Sequence, residues 1–325
     1  MWHPRAHPDL ARVFLPHPPP TPPAVCVQPS TNYPEGGKEA CNLPRYLDPA
    51  PLRHMGTDVA QLAAAKAASG NHAILTVLEE TGGSYGGGCE NITDRFASGF
   101  WYLNAKGQTA TNGMDRLHRQ DVAGWSFTGG MSHYQLAGPA GWVSGAAALM
   151  PHPDWFTSVL HKQLTSAGVL AAALAAPAAA ANVSVYAWCG SSGAEGLGGV
   201  TLVFTNPSAG DVALDLSPSG VPAAPRVEFL LTSSAQQYAA FRERGSAAAG
   251  GGAPAAGGPP ASLQDDAIFL NGAPLTVDPT TALLAAYPIP GAPVSDPAQP
   301  LLLPAYSYGF VVLNGGSAAA PAVCA

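Results

Sequence analysis

The chain has 325 residues, 47% of them hydrophobic and only 11% charged, with a formal net charge of -7. That is enough apolar material for one large domain or two ordinary ones. With 14 Lys and Arg against 21 Asp and Glu there is no broad basic face, which argues against a nucleic-acid or anionic-membrane partner, and no stretch reaches the ~18 consecutive apolar residues of a membrane span.

The opening MWHPRAHPDLARVF lacks the basic flank and apolar run of a secretory signal, so no signal peptide is expected there. Pro and His dominate the adjoining segment, with PHPPPTPPAV at its centre, and residues 1–42 are expected to be extended and largely disordered. From Tyr46 the character changes. LDPAPLRHMGTDVAQLAAAKAASG carries apolar residues at helical spacing and a glycine stop, which predicts a helix over Ala50–Ala68. HAILTVLEE, residues 72–80, is a short continuous apolar run of the kind buried on both faces of a parallel sheet. After the glycine loop, Thr93 is placed to cap a helix whose Phe96, Phe100, Trp101 and Leu103 form one stripe. Helix, buried strand, glycine loop and helix make a β/α repeat. A second helix, HPDWFTSVLHKQLTSAG, starts near Asp154 and stops at Gly168. The Ala-rich run Gly168–Ala181, broken by Pro177, reads as that helix's end passing into a low-complexity linker.

Beyond about Ala181 the text becomes VSVYAWC, GVTLVFTN, DVALDLS, RVEFLLT, AIFLNG, APLTV and YSYGFVVLNGG, short β-branched runs between turn residues. This pattern predicts an all-β sandwich or barrel over residues 182–325. Residues 245–261, GSAAAGGGAPAAGGPPA, hold no packing side chains and are expected to be a disordered insertion. The five cysteines, Cys26, Cys41, Cys89, Cys189 and Cys324, are too widely spaced for a zinc cluster, and their odd number leaves at least one thiol free. Two sequons, at Asn91 and Asn182, suit glycosylation of an exported protein.

The stretch AILTVLEETGGSYGGG concentrates the chemistry. In β/α enzymes the carboxyl ends of the strands face the site, and Glu80 stands where this strand gives way to the loop. Adjacent residues of a strand point to opposite faces, so only one of Glu79 and Glu80 is expected to face the mouth. The plain alternative is a pair of solvated loop carboxylates near a helix N-terminus. A glycine-rich backbone lets a flat ligand approach its N–H groups closely. No Lys-Ser/Thr comes after the glycines, so a phosphate-binding P-loop is disfavoured.

From Glu79 to Gly88 the sequence EETGGSYGGG resembles the nucleophile motif of the heparanase-like endo-β-glucuronidases, glycoside hydrolase family 79, with Glu79 where that family carries glycine. The resemblance continues through ASGFWYLNAKGQTA, Arg119-Gln120, GGMSHYQL, HPDWFTSVLHKQLTSAGVL, VYAWC and LPAYSYGFVVLNG. It implies an α/β plus all-β chain: residues 43–170 as the last β/α units of a (β/α)8 TIM barrel, followed by a β-sandwich. It also implies Glu80 as the nucleophile of a retaining mechanism, with Tyr85, Gly86, Gly87, Gln120 and Tyr134 lining the sugar subsite. A Cys189–Cys324 disulfide is implied in the same way. So are no cofactor or metal, a glucuronic-acid-containing polysaccharide or proteoglycan-like glycan as partner, and a secreted, cell-wall, lysosomal or vacuolar location.

The family's acid/base lies in an Asn-Glu pair, and this chain has none. Glu35, Glu39 and Glu90 are the other carboxylates near the motif, and none stands in an acid/base context. Six β/α units of ~30 residues each do not fit ahead of Glu80, so the barrel is expected to be incomplete, with a sheet edge exposed for self-association or for a missing half. Two functions remain open: a glycosidase whose acid-bearing half is missing, or an inactive carbohydrate-binding remnant or fragment of a longer enzyme.

Overall fold

A computed structural model of the chain describes residues 41–71, 73–84, 87–124, 132–139, 149–174, 182–191, 198–216, 225–247, 259–278, 283–296, 299–313 and 324. The Pro-rich segment up to residue 40 lies outside these. Asn42 accepts the Arg45 N–H at 3.1 Å and starts the short helix α1 (Leu43–Tyr46). Asp48 accepts the Ala50 N–H at 2.9 Å, and Pro49 at the first helical position opens α2 (Pro49–Ala68), the helix expected from the sequence. Then come β1 (Val77–Thr81), α3 (Ser98–Thr111), β2 (Arg116–Arg119), β3 (Ala137–Pro139), β4 (Leu149–Pro151), α4 (Pro153–Leu164) and β5 (Thr165–Leu170). The second half holds β6 (Ser184–Gly190), β7 (Val200–Asn206), β8 (Val212–Leu214), β9 (Arg226–Thr232), α5 (Ala235–Ala247), β10 (Phe269–Leu270), β11 (Ala273–Pro274), β12 (Ala292–Val294), β13 (Leu301–Leu303) and β14 (Ser307–Leu313).

Four sequence expectations are corrected. The strand read over residues 72–80 begins only at Val77, and Ile74 and Leu75 ahead of it are 41% and 60% exposed. Thr93 caps no helix. Its hydroxyl accepts the Cys89 N–H at 2.8 Å and reaches the His133 carbonyl at 2.7 Å, and the helix starts at Ser98 because the N–H groups of Phe96 and Ala97 go to the carbonyls of Asp265 and Leu263. Helix α4 stops at Leu164 rather than Gly168. There Thr165, with extended backbone, returns its hydroxyl to the His161 carbonyl at 2.7 Å, and the TSAGVL taken for a helix end becomes edge strand β5. The insertion placed over 245–261 is partly ordered, since α5 runs to Ala247 and a turn of 3-10 helix covers Ala261–Gln264. Its centre lies outside the described residues.

Two kinds of sheet result. Strands β1 and β2 pair in parallel. The larger sheet is antiparallel throughout, in the order β11-β10-β9-β14-β7-β6-β5, with β12 also on β9. Along β14 the alternation of side chains divides the core. Tyr308, Phe310 and Val312 face the helical layer, joining Phe96, Phe100 and Leu103 beside α3 and Leu160 and Leu164 of α4. Val311 and Leu313 face the other way, onto Val212 and Leu214 of β8, Leu301 and Leu303 of β13 and Phe241 of α5. The second layer is thus the antiparallel β8–β13 pair and a helix. Among the described residues there is no closed barrel. Cys189 and Cys324 form the disulfide that the resemblance implied, closing 135 residues of chain. A second disulfide, Cys41–Cys89, joins the start of α1 to the glycine loop.

Candidate active site

The register between β1 and β2 is Val77↔Arg116, Leu78↔Leu117 and then Thr81↔Arg119. Two residues, Glu79 and Glu80, therefore stand opposite one, His118. The register shifts here by one residue, a bulge-like irregularity of the parallel pairing, of a kind over-represented beside active sites. The facing of the Glu79 and Glu80 side chains, set on opposite faces by the sequence, lies outside the described residues. The bulge lies at the carboxyl end of the parallel strand, where the sequence placed the chemistry.

The glycine loop beyond β1 is held from four sides. The Tyr46 hydroxyl donates to the Gly83 carbonyl, and Cys89 is tied to Cys41. The Gln120 N–H bonds the Thr81 carbonyl at 3.0 Å, and the His133 N–H bonds the Gly87 carbonyl at 2.7 Å. Gly87 and Gly88 have φ of +99° and +87°, a region that favours glycine. A Cβ on Gly82 would stand 3.2 Å from the Tyr134 ring, one on Gly88 3.0 Å from the same ring, and one on Gly83 2.8 Å from the Thr93 methyl. These three glycines are explained by the protein's own side chains packing onto the loop, a role that the sequence reading had given to a ligand.

Of the expected site residues, Glu80 lies on the bulge, Gln120 comes directly after the last residue of β2, Gly87 sits in the loop, and Tyr134 is buried against it. These four gather at one end of the β1–β2 pair. Tyr85 and Gly86 lie outside the described residues, as do Glu35 and Glu39. Glu90, Asn91 and Asn182 are exposed. Among the described residues no group of three or more His, Cys, Asp or Glu is placed to hold a metal ion, and no helix is long and apolar enough to cross a membrane.

Three residues missed by sequence reasoning stand beside them. Asp121, next after Gln120, is half-buried, and burial raises its pKa against the opposing pull of its own N–H and of Arg119. Arg119 pairs with Asp154 at 2.9 Å, the two side chains 4% and 2% exposed. Ser98 donates to the same Asp154 oxygen at 2.7 Å. Burial pushes the Asp154 carboxyl up, with Arg119 and Ser98 opposing. Motif spacing gave no signal for Asp154, which reaches Arg119 from the first turn of another helix.

His152, just before α4, gives this region a pH response. Burial lowers its pKa from 6.5 to about 4, with the nearby Asp94 carboxylate pulling the other way. A histidine whose folded pKa is depressed leaves stability intact above the unfolded value, and that stability is lost as pH falls toward the folded one. The loss is expected between pH 6.5 and about 4, and it amounts to ~3 kcal/mol at ~1.4 kcal/mol per unit. Urea unfolding at pH 7 and pH 4 should show the drop, and it should shrink in His152→Gln. An equal drop in the variant would contradict the assignment.

The chain matches no protein-family model. It is 27% identical over 239 residues to baicalin-β-D-glucuronidase of Scutellaria baicalensis, covering 73% of this chain and 36% of that protein. It is 29% identical over 249 residues to heparanase of Gallus gallus, covering 75% and 38%. Heparanase-like protein 1 of Arabidopsis thaliana is 30% identical over 129 residues, 40% of this chain and 20% of that protein. A crystal structure of a 4-O-α-L-rhamnosyl-β-D-glucuronidase from Fusarium oxysporum 12S overlays 85% of this chain and 51% of its own with a TM-score of 0.45 at 13% identity. The chain is a heparanase-like relative and spans between 20% and 38% of the length of the three curated proteins.

Proposed function

We propose that this chain carries the nucleophile half of a retaining β-glucuronidase acting on a uronic-acid-containing glycan, with Glu80 as nucleophile. The observation that carries the reading is the bulge at Glu79–Glu80 on the carboxyl end of a parallel strand, with Gln120 and Tyr134 gathered at the same end. The likeness to two proteins named as a glucuronidase and a heparanase supports the substrate class. In this mechanism the Glu80 carboxylate attacks the anomeric carbon, the bond to the aglycone oxygen breaks, and water later hydrolyses the glycosyl ester. The N–H groups of residues 85–87 bind the uronate carboxylate, and Gln120 and Tyr134 bind the sugar. The low count of Lys and Arg favours a sparsely sulfated glycan over a heavily sulfated one.

On this reading residues 43–170 are the last β/α units of a TIM barrel and residues 182–325 a β-sandwich domain. Two disulfides favour an oxidising compartment, in line with a secreted, cell-wall or vacuolar location, and exposed Asn91 and Asn182 are available as glycan acceptors. Strand β1 has β2 as its one strand partner among the described residues, and Ile74 and Leu75 beside it are exposed. That edge suits pairing with a further strand, from another copy or from a preceding half of a barrel.

Without an Asn-Glu acid, the aglycone leaves unprotonated and ~10²–10⁴-fold of rate is lost. For a leaving group that needs no proton the loss in the first step, and so in kcat/KM, should vanish, while hydrolysis of the ester still lacks its base. The test compares 2,4-dinitrophenyl with phenyl β-D-glucuronide. The reading expects the first to turn over and the second to be slower by a factor in that range. Binding of both with turnover of neither would favour the second reading, a carbohydrate-binding remnant.

A further inference from the structure

We infer that Arg119 is the positioning residue of the candidate site, one guanidinium that sets both the Gln120 main chain and the Tyr134 ring against the glycine loop. The inference rests on the reading of Gln120 and Tyr134 as sugar contacts. Its geometry is independent of that reading. Arg119 is the strand residue opposite Thr81, so it stands directly beside the bulge. One guanidinium nitrogen donates to the carbonyl of Gln120. Another reaches Asp154 on α4 at 2.9 Å. The planar group lies 5.2 Å from the Trp101 ring, 5.4 Å from Tyr102 and 5.8 Å from Tyr134. Trp101 and Tyr102 themselves stack at 6.0 Å on α3, and Ser98 of the same helix holds the Asp154 oxygen that Arg119 uses. Two helices, α3 and α4, thus converge on one buried cation at the end of β2, which passes their positions to residue 120 and to ring 134.

Stability alone does not account for this arrangement. A buried ion pair pays a desolvation penalty that can exceed its attraction, and well-packed apolar side chains of similar volume often serve as well. What an apolar replacement cannot do is bond a main-chain carbonyl and lie against three rings at once. Only the planar fork of arginine combines both; lysine supplies the charge as a single point.

The test uses the full chain, Arg119→Lys as the conservative variant, and Asp154→Asn as a second that keeps shape while removing the anchoring charge. Amide hydrogen exchange is read at Gln120 and His133, whose N–H groups bond the Thr81 and Gly87 carbonyls, and at β7 and β14 as a reference. Affinity for 4-nitrophenyl β-D-glucuronide is read by ligand-observed NMR. Positioning expects at least ~10-fold faster exchange at Gln120 and His133, unchanged exchange in β7 and β14, and ~10-fold weaker glucuronide binding in both variants, as for loss of a hydrogen bond to a charged group. Exchange that rises uniformly through the sheet, or stays unchanged at Gln120, would overturn the inference, as would undiminished affinity with a loosened loop. Failure of the parent chain to bind any glucuronide would instead defeat the sugar-site reading, with the exchange pattern still deciding whether Arg119 holds residues 120 and 134.

Discussion

Gly99→Ala is expected to destabilise the chain by ~3 kcal/mol, near the top of the range for forcing an extra methyl into a packed core. Gly99 lies in the first turn of α3, where a Cβ would fall 2.2 Å from the Tyr308 ring carbon Cζ and 2.4 Å from its hydroxyl oxygen. The ring has nowhere to go. It is fully buried, stacks on Phe96 at 4.4 Å, meets Phe100 edge-on at 5.2 Å, and donates its hydroxyl to the Phe96 carbonyl at 3.1 Å. Alanine's helix preference, worth ~1 kcal/mol over glycine, offsets only part of the clash. Urea denaturation should therefore show a large fall in midpoint, while Gly210→Ala, where a Cβ meets nothing within 4 Å, should stay within ~0.5 kcal/mol of the parent. A neutral Gly99→Ala would mean that α3 is not docked on β14 as described, and the single core joining the β/α segment to the large sheet would have to be abandoned.

That joint core explains what could and could not be read from the residues. The strands β6, β7, β9 and β14 were legible because their apolar β-branched runs are buried on both faces, and α2 because its apolar residues fall at helical spacing ahead of a glycine stop; its start, set by Asp48 and Pro49, was not read. Strand β5 was not, since Thr165, Ser166 and Ala167 continue an amphipathic helix up to the stop expected at Gly168, and only its partner β6 decides its state. Helix α5 was missed because AQQYAAFRERGSA has almost no apolar stripe; among its described side chains Phe241 alone is buried deeply. The Cys189–Cys324 pairing came through resemblance, whereas Cys41–Cys89 was one of several ways to pair the remaining thiols. At the candidate site the strand, the glycine turn and the carboxylate pair were visible, but the bulge was not. A bulge is a mismatch between two strands, and it exists only once β1 and β2 are in register. The Arg119–Asp154 pair is hidden for the same reason, being a contact between a strand end and a helix start.

Glu80→Gln is expected to lower turnover of an activated aryl β-glucuronide on the order of 10⁴-fold or more, the scale seen when a covalent nucleophile is removed. The amide keeps the shape and the hydrogen-bonding reach of the carboxylate but cannot form the glycosyl ester, so glucuronide affinity should change far less than rate. Glu79→Gln provides the internal comparison. Both residues lie on the bulge opposite His118, and the position before Thr81 is the one that aligns with the nucleophile of the heparanase-like motif. Equal losses in the two variants would spread the role over the pair.

The most direct measurement is covalent trapping. A 2-deoxy-2-fluoro-β-D-glucuronyl fluoride slows both steps through its fluorine at C2, while its fluoride leaving group departs without a proton from the protein. An enzyme lacking its acid should therefore still form the glycosyl ester. Incubation of the intact chain, proteolysis and fragment mass spectrometry locate the label. The account predicts one 2-deoxy-2-fluoroglucuronyl adduct per chain, carried on Glu80, absent from Glu80→Gln and prevented when excess glucuronide is present during labelling. A label on Glu79 or elsewhere, or an unlabelled chain that still binds glucuronide, would contradict it.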